Sequence, residues 1–295
     1  MTSAGSLRAG SSSDDLEYQV VDVFTARAFA GNPLAVVLGG DDLTTEQMQS
    51  IASEFNLSET TFPLPPTRAG ADYRLRIFTP TAELPFAGHP SIGSAWVLQS
   101  LGRLAAGERH QECGAGVLPI TVSADGAELT GGVPTFGDAV DPLPALTAIG
   151  LGPDDLDPIA PARRCGAGLE FLMLPLASRD AVDRATPIGT GLLDVGQVLL
   201  SHWTNGVAYA RMFAAGLGVT EDPATGSAGL GYGVWLAVSG LVPPDASTPY
   251  VIEQGHAMGR PSLLQGTVIT EGGRAVRCRI RGGVVPIATG RIRVP

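Results

Sequence analysis

Three side chains of this sequence have the types and settings that acid–base chemistry requires. Glu59 lies in the β-branched run 58–62, as either a solvent-facing strand residue or a general base whose pKa is raised by a dry cleft. His89 follows Gly88 at the start of a predicted helix. It is either a capping or core histidine, or a proton relay or carboxylate ligand. Asp222 precedes a second predicted helix, where it either caps that helix or binds a substrate amine or hydroxyl.

Two predicted helices begin at glycine turns, one at Gly88 and the other at Gly226 and Ser227. The free backbone N–H groups and the positive dipole end of a helix N-terminus can bind an anion. If both helix starts face one cleft, that cleft would suit a small carboxylate substrate. The alternative interpretation is that both N-termini simply receive caps.

The composition excludes several other kinds of chemistry. All 19 basic residues are arginine. A Schiff base and a Walker-type phosphate loop both need lysine, so both are excluded. The 29 acidic residues bring the formal net charge to -10, which argues against nucleic acid as a partner. The 4 histidines have no metal-ligand spacing, and no Gly-x-Ser-x-Gly motif occurs. We therefore expect no metal site.

Cysteine usage and the first residues of the chain suggest where the protein is found. Three isolated cysteines form neither a disulfide framework nor a zinc motif, which is typical of a reducing cytoplasm. Residues 1–16 are rich in Ser, Gly and Asp, so we expect a disordered tail rather than a signal peptide. No apolar run approaches the roughly 18 residues that a membrane span needs. We expect a cytoplasmic protein with no membrane partner.

A repeated pattern accounts for the placement of the two glycine turns. An Arg-x-Phe strand, a glycine-rich turn and a helix without a polar face occur at 73–101 and again at 209–241. A helix that is small or apolar nearly all round belongs inside a domain. A length of 295 residues also favours two domains. The pattern therefore predicts two similar domains, each a strand layer around one central helix, with chance similarity as the alternative.

These motifs resemble the PhzF-like family of phenazine biosynthesis, which has the diaminopimelate epimerase-like fold. The matching stretches occur in the family's order: DVFT at 22–25, GNPLAVV at 31–37, NLSETTF at 56–62, RIFTP at 76–80, ELPFAGHP at 83–90, EDPATGSA at 221–228 and QGHAMGRPS at 254–262. The resemblance implies an α+β fold of two pseudo-symmetric domains. Each would be a barrel-like, mostly antiparallel sheet around a central helix. The expected domains are 17–130 with 284–295, and 131–283, and family members are commonly homodimers.

The resemblance also implies roles for individual residues. The family's catalytic glutamate falls on Glu59, its Gly-His pair on Gly88 and His89, its conserved aspartate on Asp222, and its Gly-Ser turn on Gly226 and Ser227. The implied reaction is cofactor-free isomerisation of a small amino or cyclic carboxylic acid in secondary metabolism, such as antibiotic biosynthesis. A proton and a double bond would move.

Two other functions stay open from the residues alone. Related epimerases and racemases use two thiols, one before each helix, and this sequence has Ala87 and Asp222 at the places we match to them. Two-base inversion at one carbon is therefore disfavoured. A non-catalytic binding protein that keeps the scaffold is the remaining alternative, against which the intact Glu59, His89, Asp222 and Ser227 argue.

Overall fold

The computed structural model describes residues 15–215 and 220–295, which form 17 strands and six α-helices. The first eight strands are β1 Asp15–Val23, β2 Asn32–Leu38, β3 Glu59–Leu64, β4 Tyr73–Phe78, β5 Glu83–Leu84, β6 Gly107–Cys113, β7 Gly116–Ser123 and β8 Gly126–Thr130. The remaining strands are β9 Pro134–Ala139, β10 Arg163–Ala167, β11 Glu170–Pro175, β12 Val198–Thr204, β13 Val207–Phe213, β14 Glu221–Asp222, β15 Ala246–Gln254, β16 Ser262–Glu271 and β17 Arg274–Arg293.

The helices are α1 Thr45–Phe55, α2 Gly88–Ser100, α3 Leu143–Ala148, α4 Arg179–Arg184, α5 Gly191–Val195 and α6 Gly226–Val238, with 3-10 turns at Pro153–Asp155 and His256–Met258. Helix α1 begins as its sequence predicts, because Thr44 and Gln47 form a capping box. None of the helices within the described ranges is long and apolar enough to cross a membrane.

The strands that surround α2 form a closed circuit of pairings. Strand β1 pairs antiparallel with β2, which runs parallel to β3, and β3 pairs antiparallel with β4. Strand β4 runs parallel to β6, and β6, β7 and β8 follow in antiparallel order. Strand β17 pairs with both β8 and β1, which closes the barrel.

The strands around α6 repeat these pairings in the same order. Strand β10 is antiparallel to β11, β11 is parallel to β12, β12 is antiparallel to β13, and β13 is parallel to β15. Strands β15, β16 and β17 then follow in antiparallel order. The predicted duplication and the predicted fold class are both confirmed. The division at 17–130 with 284–295 and at 131–283 stays a prediction, because β17 runs through both barrels without a break.

The central helices are buried nearly all round, and their glycines are needed for close packing. A Cβ atom on Gly93 of α2 would lie 2.6 Å from Leu34 Cδ2, and one on Gly231 of α6 would lie 2.7 Å from the carbonyl oxygen of Cys165. The strands therefore approach these helices more closely than any other residue would allow. This approach is the packing reason that offsets the helix propensity lost at glycine.

The predicted tail over residues 1–16 is wrong for its last two residues. Strand β1 begins at Asp15, which pairs with Arg293, and Leu16 pairs with Ile292. Leu16 and Ile292 also pack against the small apolar core beneath α1. Pairing with the far end of the chain therefore orders this segment, which local composition could not indicate. The rest of the predicted tail, residues 1–14, lies outside the described residues.

Candidate active site

The N-termini of α2 and α6 meet at the centre of the molecule. A Cβ atom on Gly88 would lie 3.0 Å from the backbone nitrogen of Ser227 and 3.2 Å from Gly226 Cα. Both neighbours are backbone atoms, so even an alanine at Gly88 would have to push the two helix starts apart by a few tenths of an ångström. The convergence of the two helix starts, which the sequence predicts, is therefore present. Neither N-cap residue, Ala87 or Thr225, uses its side chain to cap its helix.

A cavity of about 240 Å³ opens beside these helix starts. Three of the predicted site residues, Glu59, Asp222 and Ser227, line it. The rest of the wall is mostly apolar and consists of Ser58, Thr79, Leu84, Pro85, Phe86, Ala87, Leu169, Phe171, Gln197, Met212, Ala214 and Thr225. No basic side chain lines this cavity within the described residues. An anionic group bound there would have to be held by backbone N–H groups and neutral donors.

Glu59 and His89 lie side by side at the first helix start. Strand β3 begins at Glu59, and Glu59 Oε2 lies 3.3 Å from His89 Nε2. Burial raises the pKa of Glu59 well above its ordinary value, and the nearby Asp222 raises it further. Burial also lowers the pKa of His89 to about 3. The histidine is therefore neutral at pH 7, and Glu59 holds its proton more tightly than an exposed glutamate does.

Asp222, from the second barrel, also lines the cavity and lies in a network of hydrogen bonds. Thr225 Oγ1 donates to Asp222 Oδ2 at 2.5 Å, and Gln254 Nε2 donates to the Asp222 carbonyl oxygen at 2.7 Å. Burial raises the pKa of the Asp222 carboxyl to about 6, which outweighs the opposite effect of its hydrogen bonds. This carboxyl can therefore gain or lose a proton near neutral pH.

Asn32 is a site residue that the sequence interpretation missed. Its side-chain nitrogen donates to Asp222 Oδ1 at 2.8 Å and to the Ala224 carbonyl oxygen at 3.0 Å, and lies 3.2 Å from His89 Nδ1. An Asn-Pro pair is locally typical of a turn, but β2 begins at Asn32 and the residue is completely buried. Its place in the stretch 31–37, which carries the resemblance, was the signal that could have identified it.

The sequence comparison that placed Ala87 and Asp222 at corresponding positions, one before each central helix, is also wrong. Phe78 pairs with Glu83 in the first barrel, and Phe213 pairs with Glu221 in the second. Counting forward from these pairs, Asp222 corresponds to Leu84, whereas Ala87 corresponds to Thr225. Neither of those two N-cap residues is a cysteine, so the argument against a two-thiol reaction still holds. The three cysteines are buried and do not line the cavity.

Several relatives share both the sequence and the length of this chain. The family model for phenazine biosynthesis-like proteins matches residues 21–290. An uncharacterized isomerase of Mesorhizobium japonicum is 36% identical over 93% of this chain and 98% of that protein. The trans-2,3-dihydro-3-hydroxyanthranilate isomerase of Pseudomonas fluorescens is 33% identical, again over 93% of this chain and 98% of that protein.

Solved structures agree with these sequence matches. A PhzF-family phenazine biosynthesis protein of Bacillus anthracis superposes with a TM-score of 0.85 at 26% identity, covering 94% of this chain and 99% of that one. A hydroxyproline epimerase of Agrobacterium vitis, at 13% identity, covers 95% of this chain and 93% of that one. Its TM-score of 0.64 is a likeness of fold alone. The chain therefore belongs to the phenazine biosynthesis-like family, in a fold shared with epimerases, and is an enzyme of the isomerase class.

Proposed function

We propose that this enzyme isomerises a small amino or cyclic carboxylic acid by moving one proton and one double bond, without a cofactor. Glu59, in its ionised form, removes a proton from an activated carbon and returns it to another carbon of the same substrate. The double bond shifts between the two steps, so no atom is gained or lost. A raised pKa suits this role, because the carboxyl is a stronger base when ionised and an effective acid when protonated.

The other predicted site residues would bind the substrate and stabilise charge. The backbone N–H groups at Gly88, Gly226 and Ser227 would hold the carboxylate and stabilise negative charge as it develops. Asp222 would hold the amine or hydroxyl group and exchange protons with it. His89 would support Glu59 from behind the cavity wall. The observation that carries the proposal is the buried Glu59 carboxyl on the wall of an apolar cavity that a second carboxyl, Asp222, also lines.

Incubation in heavy water tests this proposal. The first compound to try is trans-2,3-dihydro-3-hydroxyanthranilate, because the Pseudomonas fluorescens relative is named for it. NMR should detect deuterium uptake and a shifted double bond. Glu59→Gln should reduce the rate by about 10²–10⁴-fold, the usual contribution of a general base. Glu54→Gln makes the same chemical change at an exposed position on α1 and should have no effect.

Other outcomes of this experiment would support different functions. Full activity in Glu59→Gln would refute the assigned role of Glu59. Inversion at one carbon without a bond shift would support an epimerase or racemase. Binding without turnover across a panel of cyclic and amino acids would support a non-catalytic binding protein.

We also infer a role in secondary metabolism, such as antibiotic biosynthesis, and a homodimer in the cytoplasm. These inferences rest on the family resemblance and on three unpaired cysteines. Light scattering would measure the mass against the 30.3 kDa of one chain. Cell fractionation would test the location.

A further inference from the structure

The side-chain amide of Asn32 joins both sides of the cavity. Asn32 begins β2 of the first barrel, whereas Asp222 and Ala224 precede α6 of the second. Its side-chain nitrogen lies within 3.2 Å of the Asp222 carboxyl, the Ala224 carbonyl oxygen and His89 Nδ1. Because the residue is completely buried, water cannot replace any of these partners. This single amide therefore affects the protonation of both His89 and Asp222.

The chemistry of the partners determines which end of the amide faces them. A carbonyl oxygen such as that of Ala224 can only accept a hydrogen bond, so the amide atom 3.0 Å away is the NH₂ nitrogen. That nitrogen has two N–H groups for three neighbours, and it cannot accept a hydrogen bond. A proton on His89 Nδ1, 3.2 Å away, would have no acceptor there, so Nδ1 presents its lone pair. A neutral imidazole that accepts at Nδ1 has its proton on Nε2.

This tautomer determines what His89 can do for Glu59. His89 Nε2 lies 3.3 Å from Glu59 Oε2, and both atoms are buried without another hydrogen-bond partner among the described residues, so each is the available partner of the other. Nε2 already has a proton and Nδ1 faces the Asn32 amide, so the ring has no free site for a proton from Glu59. His89 can donate a hydrogen bond to Glu59, but it cannot relay the proton that Glu59 removes from the substrate.

We propose that Asn32 is a positioning residue that fixes His89 as an Nε2–H donor. The donated hydrogen bond holds Glu59 Oε2, which leaves Oε1 as the oxygen that exchanges the proton with the substrate. The proton removed from the first carbon then stays on Glu59 until it returns to the second carbon, and does not pass into the protein. This inference rests on the proposed function, but its first test needs no turnover.

The first test is the tautomer of His89, measured by nitrogen-15 NMR on the full-length enzyme with labelled histidine. The signals of His89 are assigned by their loss in His89→Gln. We expect Nδ1 to give the shift of an unprotonated nitrogen and Nε2 that of a protonated one, unchanged between about pH 5 and pH 8. A protonated Nδ1, or a ring that titrates in this range, would overturn the inference. An enzyme that isomerised no compound of the panel of cyclic and amino acids would contradict the proposed function and leave this measurement intact.

The second test reverses the hydrogen bond. Asn32→Asp keeps the shape of the side chain but places an oxygen beside Nδ1, so we expect the ring to change to the Nδ1–H tautomer. The kcat for trans-2,3-dihydro-3-hydroxyanthranilate should fall about tenfold or more, because the ring then presents a lone pair to Glu59. Asn205→Asp, in an exposed turn, is the matched control and should change neither tautomer nor rate. An unchanged tautomer in a folded Asn32→Asp enzyme would contradict the inference.

The third test separates a hydrogen-bond donor from a proton relay. A glutamine side chain can donate through its amide, but it cannot carry a proton, and leucine can do neither. We therefore expect His89→Gln to keep about tenfold more activity than His89→Leu. The low-pH limb of the pH–rate profile, where the rate falls as Glu59 becomes protonated, should stay in place in His89→Gln. If the two variants were equally inactive, His89 would be a relay and the inference would be wrong.

Discussion

The two barrels share one plan of strands but place different side chains at the cavity. Thr60 pairs with Phe78 in the first barrel, and Val198 pairs with Phe213 in the second. The preceding residues, Glu59 and Gln197, are therefore equivalent, and both line the cavity. One position thus has a carboxyl in the first barrel and an amide that does not titrate in the second. The duplication supplies a symmetric frame, whereas the mechanism that we propose is asymmetric, with one base on one face.

The same comparison applies away from the cavity, to the arginine of each Arg-x-Phe strand. Arg76 pairs with Glu83 at 2.7 Å, and Arg211 pairs with Glu221 at 2.8 Å. Each guanidinium group also lies about 5 Å from the ring of the phenylalanine two residues on. Both arginines are therefore strand residues paired within their own barrel, and neither lines the cavity.

The surroundings of the two arginines differ more than their ion pairs do. Glu83 is 40% exposed, whereas Glu221 is only 15% exposed. The Nη1 group of Arg211 also lies within hydrogen-bond distance of three carbonyl oxygens at the end of α4, those of Val182, Asp183 and Ala185. Arg211 thus joins α4 to the second barrel, whereas Arg76 has no comparable set of carbonyl partners.

The largest expected effect comes from breaking these two ion pairs. Arg211→Met should lower the free energy of unfolding by about 3–5 kcal/mol, because it leaves Glu221 and three carbonyl groups without their donor. Arg76→Met should cost only about 1 kcal/mol, because Glu83 can turn to water. Urea unfolding of the two variants measures both values. Equal losses would mean that the two barrels differ less in their supporting contacts than their geometry indicates.

A second difference is Asp222, whose counterpart in the first barrel is the uncharged Leu84. Burial raises the pKa of Asp222 from its ordinary value of 3.8 to about 6 in the folded protein. The folded state therefore binds this proton more tightly than the unfolded chain does. Its contribution to stability is fully present at low pH and is lost as the pH rises from about 4 to about 6.

Replacing Asp222 should remove this part of the pH dependence. The change is on the order of 2–3 kcal/mol, from about 1.4 kcal/mol for each pKa unit. Asp222→Asn should accordingly lose less stability than the natural protein between about pH 4 and pH 6. Asp41→Asn, in an exposed turn, is the control. Unfolding free energies measured across this range would count against the assignment if Asp222→Asn and the natural protein had the same slope.

The sequence predicted the frame of the molecule better than its site. Both central helices could be identified because a helix without a polar face must be buried, and the Arg-x-Phe repeat identified the duplication. For Glu59 and the glycine helix starts, residue type and local setting left a functional and a structural interpretation open, and only the family resemblance assigned them roles. These features depend on contacts within one strand-turn-helix unit, which a sequence pattern records.

The features that were missed depend on contacts between distant segments. Asn32 bonds to Asp222, which is 190 residues away, and an Asn-Pro pair is locally a turn signal. The match of Asp222 to Ala87 failed because only the pairing of β13 with β14 fixes which residues correspond. Residues 15 and 16 likewise belong to a strand only because they pair with β17, at the other end of the chain. No local pattern contains that information.

The smallest effect we expect comes from making the two barrels more alike at the cavity. Gln197→Glu gives the second barrel a carboxyl where the first has Glu59. A third carboxyl in this cavity should raise the pKa of Glu59 further, because like charges disfavour ionisation. The exchange rate falls at low pH as Glu59 becomes protonated, and this limb of the profile should move to higher pH. The rate at pH 7 should fall about tenfold.

The uncharged variant Gln197→Leu separates the effect of charge from the loss of the amide. Without a third carboxyl, the low-pH limb of its profile should stay in place. If the amide of Gln197 touches the substrate, only KM should rise. The stereochemistry of exchange gives the decisive comparison. If a single base on the first barrel performs the reaction, Gln197→Glu should still deliver deuterium to one face of the substrate. Delivery to both faces would mean that a carboxyl from either barrel can act as a base. The difference between Glu59 and Gln197 at this one equivalent position would then be what separates a one-base isomerase from a two-base enzyme.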